Sequence, residues 1–361
     1  MEKLQKTLDE INYLAANITA AGKCKKINIM EVCGTHTMSI ARYGLAQLLP
    51  PEIDLISGPG CPVCVTPAKE IDNIIGIIRK YKLTVFTFGD IIKVPGTFSS
   101  LSAEKMSGAE IRICYSPSDS IIFAEQNPGK KVMFIAIGFE TTIPLTSVII
   151  KDALKKKLKN FFVFSTHRII PPALDALLSD KNVQVNGLLL PGHVSAIIGL
   201  EPYGFITSKY NIPAVISGFG PDDILISIKM ILEQLASGRP VIENSYTGVV
   251  KNDGNPYAFS MINDVFAPVD SEWRGLGIIP LSGMALKDKY SVFDARKSFP
   301  VKVSSLPEPA GCECGEILKG IKTPTGCKLF AVSCRPDNPV GPCMVSSEGT
   351  CAAYFKYLRR K

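Results

Sequence analysis

The run Ile27-Asn28-Ile29-Met30-Glu31-Val32-Cys33-Gly34-Thr35-His36-Thr37 decides the fold class. Residues 27–32 read as a short buried strand, because apolar and β-branched side chains suit a covered, pleated surface. Cys33 to Thr37 reads as the loop that follows it. Comparable strands are expected at 54–57, 84–87, 132–137, 161–165, 187–190 and 214–217. Helical spacing of apolar residues fills 70–80, 143–155, 172–178 and 222–235 between them. Strand–helix alternation with short connections implies parallel sheets covered on both faces. The expected class is α/β, with two similar parallel-sheet α/β domains at 21–128 and 129–238. An irregular, cysteine-rich third domain is expected at 239–361, where Gly and Pro are frequent and strands are hard to assign. Leu4, Leu8, Ile11, Leu14 and Ile18 give residues 1–20 the period of an amphipathic helix, expected to pack against the third domain.

A chain of 361 residues exceeds one ordinary core, and 46% hydrophobic with 20% charged residues is a globular composition. No apolar run approaches about 18 residues, and the acidic, amphipathic N-terminus is unlike a signal peptide. The expectation is a cytoplasmic protein with no membrane span. The net charge of +7 is spread over single lysines, and the densest basic run, 155–159, falls at a helix end, where cations suit the dipole. Without an aromatic-rich basic stripe, no nucleic-acid partner is expected. There is no G-x-x-x-x-G-K-[ST] loop for ATP. The eleven cysteines in a chain without a secretory signal point to metal or redox chemistry rather than a disulfide framework.

Ligands of open parallel sheets bind beyond the carboxyl ends of the strands. Here those ends carry the unusual residues: Cys33-Gly34-Thr35-His36, Gly58-Pro59-Gly60-Cys61-Pro62-Val63-Cys64, Phe88-Gly89-Asp90, Gly138-Phe139-Glu140-Thr141-Thr142, Thr166-His167-Arg168, Pro191-Gly192-His193 and Gly218-Phe219-Gly220-Pro221-Asp222. All three histidines are in this set, which predicts a cleft lined by these loops. Plainer roles exist for several members. Glycines 58, 60 and 138 permit tight turns, Thr141, Asp222 and Asp90 suit caps, and His193 suits a structural hydrogen bond. Cys61-Pro62-Val63-Cys64 has the spacing of a redox dithiol. With Cys33 and His36 it also supplies the four donors of a structural zinc site. Cys24 and Cys114 have no partner at motif spacing and read as small buried apolar residues.

The late cysteines are Cys312, Cys314, Cys327, Cys334, Cys343 and Cys351. Their long, irregular spacings lack the paired knuckles of a zinc ribbon and suit a [4Fe–4S] cluster, with zinc as the alternative. Spacing alone does not select the four ligands.

Five runs resemble the signature loops of the HypD family of hydrogenase-maturation proteins: Glu31-Val32-Cys33-Gly34-Thr35-His36-Thr37, Gly58-Pro59-Gly60-Cys61-Pro62-Val63-Cys64, Thr87-Phe88-Gly89-Asp90, Gly138-Phe139-Glu140-Thr141-Thr142 and Pro191-Gly192-His193-Val194-Ser195. The ending from Gly341 to Tyr354 resembles theirs too, so the likeness runs in order from about residue 25 to 355. The resemblance implies that the family pattern C-x14-C-x6-C-x16-C falls on Cys312, Cys327, Cys334 and Cys351. They would hold a [4Fe–4S] cluster, with Cys314 and Cys343 to spare. It also implies partnership with a small HypC-type chaperone, a cyanide-donating HypE-type protein, and an Fe(CN)2CO group as cargo. On that reading Cys33 holds the cargo iron and His36 is a ligand or proton donor beside it. Cys61 and Cys64 pass electrons, while Asp90 and Glu140 move protons or hold loops. This describes a redox-active assembly scaffold more than a turnover enzyme. Two rival readings use the same residues: a thiol–disulfide oxidoreductase with an iron–sulfur cluster, and a zinc-stabilised assembly platform.

Overall fold

A computed structural model describes residues 2–304 and 311–358. Among the described residues, eleven strands form two parallel sheets and one antiparallel hairpin. They are β1 (Ile27–Glu31), β2 (Ile53–Ser57), β3 (Thr84–Thr87), β4 (Ile111–Ile113), β5 (Val132–Ala136), β6 (Phe161–Ser165), β7 (Gly187–Pro191), β8 (Ala214–Ser217), β9 (Ile242–Asn244), β10 (Phe266–Trp273) and β11 (Gly277–Leu286). The first sheet has the order β2-β1-β7-β8-β9 and the second β4-β3-β5-β6. The seven expected strands are all present, and the α/β class holds.

Strand pairing departs from chain order. β1 pairs with β2 on one side and with β7 on the other, with Glu31 opposite both Ser57 and Leu189. Strands expected in one unit, 21–128, are therefore shared between the two sheets, and so are those of 129–238. The chain leaves the first sheet after β2, builds the second, and returns at β7. Periodicity identifies a buried strand but carries no information on its neighbour, which is why that exchange was invisible in the sequence.

Residues after 239 are also more regular than expected. Helix Pro256–Val265 and the β10–β11 hairpin occupy much of 256–286. Pro268, Pro280, Gly277 and Gly283 disguise the hairpin as loop. In a two-stranded ribbon each strand keeps one open edge, so proline is tolerated there. The cysteine-rich stretch does not close a core of its own. Cys314, Cys327, Cys334, Cys343 and Cys351 share a buried cluster with Cys61, Cys64, Val85, Met133, Leu188, Ile216 and Trp273.

The N-terminal helix α1 (Glu2–Ala20) buries Leu8, Ile11, Ala15 and Ile18 against Ile224, Leu225, Ile228 and Ile231 of helix Pro221–Ser237. Glu10 and Lys229 form an ion pair there at 2.6 Å. Its apolar face thus covers the first sheet's helical layer, where the expectation had placed it on the third domain. Among the described residues, no helix is long and apolar enough to cross a membrane.

Candidate functional site

Cys33 sits at the N-cap of α2 (Gly34–Tyr43), directly after β1, in extended backbone with φ −151°. Two other loops close on it. A Cβ on Gly60 would lie 2.4 Å from the Cys33 nitrogen and 2.5 Å from its Cα, and one on Gly34 would lie 2.4 Å from Glu348. Glycine is required at both positions because backbone approaches backbone. The Gly34 N–H donates to the Gly60 carbonyl at 3.2 Å, and Thr35 Oγ1 donates to Glu348 Oε1 at 3.0 Å. The Cys33 loop is thus held between the Cys61/Cys64 loop and the stretch leading to Cys351. Burial pushes the Cys33 thiol up to about 12, against the pull of the nearby Thr35 N–H and hydroxyl.

Cys61 and Cys64 are joined by a disulfide and both are buried. With the disulfide closed, these two sulfurs are bonded to each other rather than presented as separate thiolates. His36 is fully buried, and its Nε2–H donates to the Gly218 carbonyl at 2.9 Å. Nδ1 is left unprotonated, buried and without a hydrogen-bond partner. Burial holds the imidazole down at about 4, so it is neutral at physiological pH. A neutral ring anchored through one nitrogen with the other free is the arrangement of a metal-ligating histidine. His36 and His193 both pack against the Phe219 ring, at 4.8 and 4.0 Å between centroids.

Glu140 lies beyond β5 in the second sheet. Its Oε1 accepts from the Ile170 N–H at 2.8 Å, while Oε2 is buried without a partner. Burial raises it to about 7. Tyr203 is also buried, with its hydroxyl 3.2 Å from Ser195 Oγ, and burial followed by the charges of Glu140 and Cys33 raises it. Asp90 is exposed and accepts from Ser347 Oγ at 3.2 Å, so it ties a loop beside Glu348 and does not approach the thiols through that contact. His167 is committed elsewhere, with Nε2 on Thr146 Oγ1 at 2.9 Å and Nδ1 on the Gly138 carbonyl at 3.3 Å.

Sequence reasoning missed Glu31, Tyr203 and the hairpin tip. A charged residue inside a buried strand was the available signal for Glu31. The tip had none: Trp273 stacks on Phe139 at 5.9 Å, and Arg274 donates to the Val65 and Thr66 carbonyls at 2.8 and 3.0 Å. A cavity of about 780 Å³ lined by Lys151, Glu201, Phe259 and Asp264 includes none of these groups.

Of the late thiols, Cys312 and Cys314 are 3.4 Å apart. Cys351 is raised first by its contact with Cys314, then by burial and by Cys343 and Cys334. Cys334 is raised by burial and then feels Cys314 and Cys312. Cys327 lies in the same core with Sγ 3.8 Å from the Gly311 carbonyl. Among the described residues, no three His, Cys, Asp or Glu side chains form a group that would hold a metal ion. The donor chemistry nevertheless fits a soft metal cluster, since buried thiols that raise one another ionise readily only beside a cation. Cys314, the expected spare, lies among them.

The model of a family described as "Hydrogenase formation hypA family", named HypD, matches residues 5–358. The chain belongs to the HypD family. It is 44% identical to hydrogenase maturation factor HypD of Rhodobacter capsulatus over 355 residues, covering 97% of this chain and 94% of that one. It is 43% identical to a putative hydrogenase expression/formation protein of Methanocaldococcus jannaschii, covering 99% and 97%. Identity to HypD of Cupriavidus necator is 42%, covering 96% and 94%. As a HypD-family chain, its place is in hydrogenase maturation, and the two loops packed on Cys33 and Gly34 belong to runs that carry the family likeness.

Proposed function

We propose that this protein is the scaffold on which an Fe(CN)2CO group is assembled as cargo, in partnership with a HypC-type chaperone and a HypE-type cyanide donor. One observation carries the reading: the Cys33 loop is clasped between the dithiol loop and the loop that leads into Cys351, the last of the late cysteines. Cys33 supplies a soft thiolate for low-spin iron, and His36 Nδ1 is a second donor within the same loop. Burial keeps the Cys33 sulfur protonated until a cation arrives, so iron binding releases its proton. Glu140 is a buried acid beyond the facing sheet, fit to hold or deliver a proton. Asp90 serves the loops.

Cys312, Cys327, Cys334 and Cys351 would hold a [4Fe–4S] cluster, which supplies single electrons when bound. The Cys61–Cys64 disulfide takes two electrons and two protons to become a dithiol, and returns them on reoxidation. Burial of both sulfurs weighs against a thiol–disulfide oxidoreductase acting on other proteins, because exchange requires access. The protein is expected to work in the cytoplasm, where thiols are kept reduced.

Iron and acid-labile sulfide analysis of anaerobically purified protein tests the cluster. About four iron and four sulfide per chain are expected, with loss of both in Cys334→Ala. Zinc without sulfide would replace this reading with the assembly platform.

A further inference from the structure

Glu31 is an acid where the fold least tolerates one. It ends β1, a central strand bracketed by β2 and β7, and is 2% exposed. Burying a carboxyl group is costly unless its oxygens are bonded, and here they are. Oε2 accepts from the Cys33 N–H at 3.1 Å, and Oε1 accepts from Thr37 Oγ1 at 2.5 Å. The Glu31 carbonyl accepts from the Gly58 N–H at 2.8 Å, and Gly60 N–H in turn donates to the Gly58 carbonyl at 2.9 Å.

One residue therefore fixes three things. Its side chain holds the Cys33 backbone and the first turn of α2 through Thr37, and its backbone carbonyl meets the start of the loop that carries Cys61 and Cys64. An alkyl side chain would pack in the strand at lower cost, but it would leave the Cys33 N–H and the Thr37 hydroxyl buried without that acceptor. We infer that Glu31 is the positioning residue for Cys33, setting the thiol's place relative to the dithiol loop by accepting hydrogen bonds from both ends of the 33–37 turn. This rests on the reading of Cys33 as the cargo-binding thiol for its purpose, but not for its geometry.

The test follows iodoacetamide alkylation of Cys33 in the anaerobically purified full chain, peptide by peptide, with Cys24 as internal reference. Glu31→Ala is expected to speed Cys33 alkylation about tenfold, the worth of one or two lost hydrogen bonds. Thr37→Val is expected to move it in the same direction by less. Glu31→Gln restores the wild-type rate to within about threefold, because its carbonyl still accepts from Cys33 and its amide can donate to Thr37. A structural contribution alone would lower the melting temperature without this rescue pattern. An unchanged Cys33 rate in Thr37→Val, or a Gln variant as disturbed as Ala, overturns the inference. Should Glu31→Ala not fold, the other two variants decide it. No iron is needed, so a wild-type protein that never carries cyanide-bearing iron overturns the scaffold reading and leaves this one standing.

Discussion

Glu140 shows what burial does to a single acid at this site. Its carboxyl is raised to about 7 because it is desolvated and only one oxygen is bonded. The folded state therefore keeps a proton that the unfolded state loses above its ordinary value of 4.5. Stability from this residue is full below that value and falls as pH rises towards 7. Glu140→Gln keeps the acceptor for the Ile170 N–H and removes the titration. Its melting temperature relative to wild type should accordingly be higher at pH 8 than at pH 5, measured by calorimetry; a difference independent of pH would contradict the assignment. His36 acts in the opposite sense, since its lowered value makes the unfolded state the better proton acceptor in acid. The nearness of the Cys33 loop to the Cys61/Cys64 loop rests on runs that motif spacing picks out in the sequence. Glu31 was not singled out, since its role is to accept bonds from backbone and hydroxyl groups that no spacing rule records.

The β10–β11 hairpin is the element that ties the site together and the one the sequence hid. Its tip makes a backbone contact in which a Cβ on Gly275 would lie 2.2 Å from Gly315, between the first two late cysteines and the rest. Trp273 is buried, donates from Nε1 to Ser282 Oγ at 2.8 Å, and stacks on Phe139 beside Glu140. Trp273→Ala should cost about 3–5 kcal/mol in urea unfolding. It should also raise proteolytic sensitivity near Thr66, where Arg274 is anchored. A cost under about 1 kcal/mol would mean the hairpin is an appendage, as surface changes usually are. Alternation of apolar residues is weak in this ribbon because one face is exposed at Val269, Ile278 and Leu281 and prolines interrupt it.

At the scale of the molecule, seven of the eight parallel strands of 27–217 were readable because each is a short apolar run between helices, and only the three-residue β4 was too short to show. Their partition was not. Pairing β1 with β7 brings His36 to Gly218 and Phe219, residues from the far end of the α/β region. That juxtaposition is therefore made by returning the chain to its first sheet, and no local pattern encodes that return. The late cysteines fold into the common core beneath the same loops, which gives the scaffold reading its physical basis: one buried thiol, one disulfide and one thiol-rich nest within a continuous packed body. Infrared spectroscopy on anaerobically purified protein, co-expressed with its HypC-type partner, tests this most directly. The account predicts cyanide and carbonyl stretching bands in the wild type and their loss in Cys33→Ala. Bands at wild-type intensity in Cys33→Ala, or none in the iron-replete wild type, would contradict it.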